Sequence, residues 1–410
     1  MTSLDSPALS LPLRTPRNRR PNQAVRPREE GDRFTLDGDA QLEAHLARTC
    51  DRIAAGIGGL LPRSRLEGLL LGGGYGRGEG GVWRSANGDQ PYNDLEFYVF
   101  LRGNRHLNER RHGRALHVLG EILTPQAGVE VEFKVTSRAE LAAAPVTMFS
   151  YDLVTRHRRL IGGDGLLETC GHHRAAERIP LAEATRLMMN RCTGLLLSRE
   201  RLNRAVFAAG DADFVGRNIA KAQLGAGDAV LTAIGQYHWS ARDRHANLAR
   251  LGGEGFPEWR GRLESHHADG VAFKLHPRRS SETRDELLAR HESVTGLCRE
   301  VWLWLESRRL ERRFASVVEY ATPEFPKGAD ALVPRNLLVN LKVLGPRGLA
   351  LGPLRHPRER ILTSLPLLLW HPETLRSPAL LCRIQRELQT DARDFGPLVA
   401  SYARIWSQVN

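Results

Sequence analysis

Apolar positions along the chain fall into two regimes. Between residues 40 and 165, short apolar or alternating runs ending in turn residues interleave with helical stripes. From Leu181 onward only the helical spacing persists. Leu42, Leu46, Ile53 and Ile57 predict an amphipathic helix starting near Asp39. The run EGLLLGGG at residues 67–74 suits a buried strand stopping at a turn. NDLEFYVFLRG at 93–103 carries the aromatic and branched residues of a second strand. A helix is expected over 105–123, a strictly alternating strand over 128–137 (GVEVEFKVTS), and an edge strand or turn over 158–167. Residues 181–210, 214–240 and 284–313 carry long helical stripes, and the last hundred residues read as shorter helices broken by prolines. Trp302, Leu303, Trp304 and Leu305 suit a helix buried on two sides. No repeat of fixed period is visible. The fold class is α+β: a small mixed β-sheet with flanking helices, then a mainly α-helical C-terminal domain.

Composition adds boundaries to this picture. Residues 1–38 are rich in Arg and Pro with almost no apolar periodicity, and read as a disordered arm. The domains are expected at 39–178 and 179–410. No uncharged apolar run approaches the ~18 residues a membrane span needs. The amino terminus has no apolar secretion-signal core, so a soluble, cytoplasmic protein without a membrane partner is expected. Five cysteines, odd in number and far apart, read as reduced thiols rather than a disulfide or zinc framework.

The net charge of +12 raises nucleic acid as a partner, but only five of the 59 basic residues are lysines and the arginines are spread among 47 acids. That dispersion disfavours a dedicated nucleic-acid surface. Where arginine is the default cation, a retained lysine is a better candidate for a role that needs a compact ammonium.

The densest local signal is the glycine cluster from Gly72 to Gly81. Glycine-rich loops approach many phosphates, so the cluster alone is weak. A P-loop and a kinase loop both fail for want of their lysine contexts, and Gly80, Gly81, Asn87, Gly88 and Pro91 argue against the helix a dinucleotide fingerprint requires. Acids further along the chain raise its value. Asp94 and Glu96 open an apolar strand, and period-two geometry puts both on one face, roughly 6–7 Å apart. Glu130, Glu132 and Lys134 share one face of a later strand. Three carboxylates from adjacent strands are the oxygen ligands that a hard divalent cation takes alongside substrate phosphates.

In this order of glycine loop, acid pair and third acid, residues 40–165 resemble the nucleotidyltransferase superfamily that includes DNA polymerase beta, the CCA-adding enzymes and the aminoglycoside nucleotidyltransferases. The resemblance implies that residues 39–178 form the nucleotidyltransferase domain. Gly73 and Gly74, followed by Tyr75, Arg77 and Glu79, would bind the nucleotide. Asp94, Glu96 and Glu132 would be catalytic and hold Mg²⁺ (Mn²⁺ the alternative), with Glu130 the alternative third ligand. In several members a helical domain contributes a lysine to the triphosphate. Lys221 is identified with it, Asp228 and Tyr237 are secondary candidates in the same run, and Lys274 is expected to play no comparable part. Gly74 stands where many members have serine, and about nine extra residues separate Glu79 from Asp94.

The implied activity is transfer of a nucleoside monophosphate from a nucleoside triphosphate, ATP being expected, to the hydroxyl of a small molecule or protein, with release of pyrophosphate. The alternatives are a tRNA-end or other nucleic-acid nucleotidyltransferase, and a non-catalytic nucleotide-binding scaffold. His172-His173 and His266-His267 lack ligand spacing and read as loop residues.

Overall fold

Alternation decides how the sheet is buried. In β4 (Leu95–Leu101), Leu95, Phe97, Val99 and Leu101 turn to one face and Glu96, Tyr98 and Phe100 to the other. The first set packs with β1 (Leu66–Leu71) residues Leu69 and Leu71 against α1 (Ala40–Leu60) and α3 (Arg105–Ala127). Tyr98 and Phe100 of the second set, with Leu70, meet α4 (Arg138–Ala143), α5 (Met148–Thr155) and the 3-10 turns of Asp164–Arg174. The sheet is therefore covered on both sides, and only its strand ends are free to carry chemistry.

The computed structural model describes residues 33–252, 257–322, 327–328, 333–346 and 355–409. Its main sheet has the order β5-β4-β1-β6, with β5 at Val131–Thr136 and β6 at Arg158–Ile161. β4 and β5 run parallel in a register that places Glu96 beside Glu132; β1 is antiparallel to both β4 and β6. The parallel pair needs a crossover, and α3 supplies it. The short α2 (Gly73–Arg77) comes directly after β1, a single turn where none was expected. The residues between Glu79 and Asp94 form a hairpin, β2 (Val82–Ser85) with β3 (Gly88–Pro91), around the Asn87-Gly88 turn where Gly88 has φ +101°.

The arm expected over residues 1–38 lies outside the described residues up to position 32. From Phe34 onward the expectation fails. Phe34 and Thr35 are buried, their N–H groups donate to the Glu43 carboxylate at 2.9 and 3.0 Å, and the Phe34 carbonyl accepts from Gly80. One aromatic residue and a buried glutamate in α1 suffice to hold the segment, which offers no periodicity to read.

After residue 180 the described chain is helical, giving a mixed α+β protein with helices predominating. The longest helices are α6 (Leu181–Leu202), α7 (Ala209–Ala233) and α10 (Arg284–Arg309), with α8 (Ala241–Arg250) and α9 (Arg260–Leu275) beside α7. Their core includes Met188, Leu195, Val230, Leu297 and Trp302. Trp302 and Leu305 are buried and Leu303 and Trp304 partly so, as the run suggested. Shorter helices at Val333–Leu344, Pro357–Trp370, Pro378–Leu388 and Phe395–Val409 pack on this core. Among the described residues, no helix is long and apolar enough to cross a membrane. All five cysteines are free thiols, with Cys382 alone exposed.

Candidate functional site

Three carboxylates meet at the N-terminal ends of the parallel strands. Asp94 lies just before β4, Glu96 is its second residue, and Glu132 is the second residue of β5. An oxygen from each falls within 4.8 Å of the others. Burial raises the Asp94 pKa, and Glu96 and Glu132 raise it further. The Lys134 ammonium answers this crowding, lying 2.5 Å from Glu96 and 3.2 Å from Glu132. Burial works against its charge, but both glutamates hold the ammonium above its ordinary pKa.

Glu130 is exposed, lines the neighbouring cleft and does not join the cluster. The parallel register explains the difference, because it pairs Glu132 rather than Glu130 with Glu96. Separate glutamine substitutions are expected to show it. Glu132→Gln should lower divalent-cation affinity by at least tenfold more than Glu130→Gln in a calorimetric titration with Mn²⁺; the reverse order would move the third ligand to Glu130.

The glycine turn lies beside the acids because its first N–H, from Gly72, donates to the Glu96 carbonyl at 2.9 Å. Gly73 has φ +61° and sits so close to Glu96 that a β-carbon would stand 3.1 Å from the carboxylate. At Gly74 a β-carbon would meet the Glu79 backbone carbonyl at 2.9 Å. A serine is therefore excluded by the turn itself, which closes through the Glu79 N–H onto the Gly74 carbonyl.

Tyr75 and Glu79 depart from expectation: neither lines the cleft. Tyr75 is buried, its hydroxyl donating to the Gly81 carbonyl and accepting from Tyr92 N–H, both at 2.8 Å; burial pushes its pKa up to about 12. The Glu79 carboxylate accepts from Ser240 Oγ (2.6 Å) and Ala241 N–H (2.8 Å), capping α8. Burial opposes its ionisation, but these two hydrogen bonds hold its pKa below the usual value. A buried tyrosine and a buried capping acid cannot be told from phosphate ligands by motif alone.

The cleft has a volume of about 860 Å³. Gly73, Gly74, Asp94 and Glu96 line it on the sheet side. From the helices come Arg191 on α6, Arg217 and Lys221 on α7, and Lys274 on α9; Arg77 joins them from the glycine turn. Lys221 is solvent-exposed, and its pKa is lowered by desolvation and by Arg191 and Arg217. Lys274, of which no comparable part was expected, lines the cleft as well. Burial, with Arg77 and Arg244 nearby, lowers its pKa to about 8. Its interest was signalled by the scarcity of lysine, whereas Arg191 and Arg217 had nothing to separate them from the other arginines. Buried Nε donors of Arg77 and Arg191 have no hydrogen-bond partner.

Asp228 and Tyr237 do not line the cleft. They belong to a buried chain that joins the glycine turn to the helices. Arg77 pairs with Asp152 at 2.7 Å, Tyr237 donates to Asp152 at 3.4 Å, and Arg244 donates to the Tyr237 hydroxyl at 3.0 Å and pairs with Asp228 at 2.7 Å. Burial opposes the Asp228 charge, yet Arg244 and His267 hold its pKa below the ordinary value. His267, on α9 rather than in a loop, lies 3.2 Å from Asp228, and His266 precedes it on the same helix. His172 and His173 sit in the 3-10 turns, with His173 bonded to the Leu141 carbonyl.

Comparison of the chain with protein-family models, with curated proteins and with solved structures gives no match.

Proposed function

We propose that the protein is a divalent-cation-dependent nucleotidyltransferase acting on a nucleoside triphosphate, with ATP the expected donor. The observation that carries this reading is the polarity of the cleft. A cluster of three carboxylates lies beside a glycine turn, and the cations Arg77, Arg191, Arg217, Lys221 and Lys274 line the cleft onto which two of them, Asp94 and Glu96, open. A triphosphate is attracted by those cations and repelled by the carboxylates, unless a divalent cation joins the two.

The donor set fits Mg²⁺ or Mn²⁺: three oxygen ligands, no sulfur or imidazole, and an ammonium already neutralising two of them. Asp94, Glu96 and Glu132 would hold the ion, which when bound supplies charge neutralisation between phosphate and acceptor. The chain's own residues do the remainder. Lys221, Lys274 and Arg191 bind phosphate oxygens, and the unpartnered Arg191 Nε–H gains an acceptor. The backbone of Gly73 and Gly74 allows close approach. The carboxylate cluster receives the proton of the acceptor hydroxyl as its oxygen bonds to the α-phosphorus and pyrophosphate departs. Positioning and electrostatics carry the catalysis, with no covalent enzyme intermediate.

Incubation with ATP labelled at the α-phosphorus, Mg²⁺ and fractionated metabolites, protein and tRNA tests the reading. Label should enter a small-molecule or protein fraction. Lys221→Ala should weaken ATP binding by roughly tenfold, as loss of a charged hydrogen bond does, whereas Lys342→Ala on an exposed helix face should leave it unchanged. ATP binding without transfer to any fraction would favour the scaffold alternative, and no ATP binding would remove the proposal.

A further inference from the structure

A second pocket, of about 610 Å³, opens between α7, the end of α9 and the segment leading into α10. Arg217, Ala220 and Phe273 line both it and the phosphate cleft, so the two adjoin. Its volume suits a small molecule.

The charges lining it are unevenly satisfied. Arg290 is paired with Glu282, while Arg279 lies over the Trp83 ring and reaches Asp213 only at 4.0 Å. Arg217 and Arg278 have no acidic partner among the described residues. One arginine at the shared wall and one on the far segment are thus left to meet an anion.

Gln223 supplies an independent requirement. It is 2% exposed, and its Nε2 donates to Asp269 Oδ2 at 3.3 Å and lies 3.0 Å from His266 Nδ1. Asp269 accepts, so the amide is oriented with its oxygen away from that carboxylate. That oxygen, Gln223 Oε1, is buried without a hydrogen-bond partner. A buried carbonyl oxygen left without a donor costs stability, and a hydroxyl group is the simplest neutral donor to supply it.

We propose that this pocket binds the acceptor substrate, and that the acceptor is a small polyhydroxylated anion, carrying a carboxylate or phosphate. Its charge sits on Arg278 and Arg217, one hydroxyl donates to Gln223 Oε1, and another crosses the shared wall toward the phosphate cleft. This rests on the nucleotidyl-transfer reading of that cleft. There, the second hydroxyl's oxygen forms a bond to the α-phosphorus as the bond to pyrophosphate breaks, and its proton passes to the carboxylate cluster. The negative charge also accounts for two arginines left without an acidic partner at this place.

Saturation-transfer NMR on the full chain, with glycerol, glycerate and glycerol phosphate as probes, tests the pocket directly. All three carry hydroxyls and differ chiefly in charge. The two anions should bind at least tenfold more tightly than glycerol, and their ranking separates a carboxylate from a phosphate site. Arg278→Ser and Gln223→Leu should each weaken anion binding roughly fivefold to tenfold and leave ATP binding unchanged; Lys221→Ala should do the opposite. Arg278 is exposed, so folding of that variant is not at stake. Equal binding of glycerol, indifference to both pocket variants, or loss of the anions in Lys221→Ala would overturn the proposal. ATP binding with none of the probes bound sinks the pocket alone. Probe binding with no ATP binding sinks the transfer reading and the acceptor role together, leaving an anion site.

Discussion

Asp94→Asn is expected to stop nucleotidyl transfer, by on the order of 10³-fold or more, while the protein stays folded. Asp94 is crowded by Glu96 and Glu132, and both burial and those neighbours raise its pKa above the ordinary 3.8. The folded state therefore holds the Asp94 proton more tightly than the unfolded chain does. At neutral pH, ionising the group works against the fold, and that penalty fades only as pH falls through the folded pKa towards 3.8. Asparagine removes the charge and keeps the shape. In metal-free buffer at pH 7 the variant should melt at or above the wild-type temperature, with no gain from added Mg²⁺. A variant that unfolds would show that the carboxylate supports the structure instead.

Lys274→Met is expected to separate binding from stability in the opposite directions. Lys274 lines the cleft with its pKa lowered to about 8, against 10.5 for a free lysine. Below pH 8 the folded protein carries a charge that its surroundings resist, and the unfolded chain carries the same charge freely. The lysine therefore destabilises the fold at neutral pH, and this cost is relieved as pH rises from 8 to 10.5. The methionine variant should melt higher than wild type at pH 7, the gap closing above pH 8. ATP affinity should fall tenfold to a hundredfold, roughly what a buried charged hydrogen bond to phosphate contributes. Wild-type affinity should also weaken above pH 8, where binding must draw a proton onto the amine; Lys274→Arg should flatten that profile. A variant no more stable than wild type, binding ATP equally well, would place Lys274 outside the triphosphate site.

Strand patterning made the sheet readable: Leu95, Phe97, Val99 and Leu101 alternate with Glu96, Tyr98 and Phe100, and that same alternation put Asp94 and Glu96 together. The hairpin around Asn87-Gly88 went unread, because its strands are only four residues each and lack apolar alternation. The third acid was legible as a pair, and register rather than sequence separates Glu132 from Glu130. What the sequence could not express is where long-range partners fall. Tyr75 and Glu79 occupy motif positions, yet the tyrosine hydroxyl is spent on the turn itself. The glutamate is spent on a helix capped at Ser240, 161 residues further along the chain. Arg191 and Arg217 gain meaning only from the cleft they line, since local spacing gives an arginine no address. The expected serine at Gly74 is missing for a reason that lives in a backbone distance, not in the motif.

That distant cap has a consequence for how the molecule is made. The Glu79 carboxylate is set early in the chain, but Ser240 and Ala241, which satisfy it, emerge from the ribosome far later. Until then the nascent glycine turn carries an acid that it cannot bury, because an unpaired charge in a dry interior costs roughly several kcal/mol per ion. The Glu79 side chain of the glycine turn thus gains its hydrogen-bond partners only with α8. The sheet, for all its self-contained hydrophobic layers, is not a cassette that could be lifted out and joined to a different helical partner. Shuffling would have to carry the residues around 240 along with it.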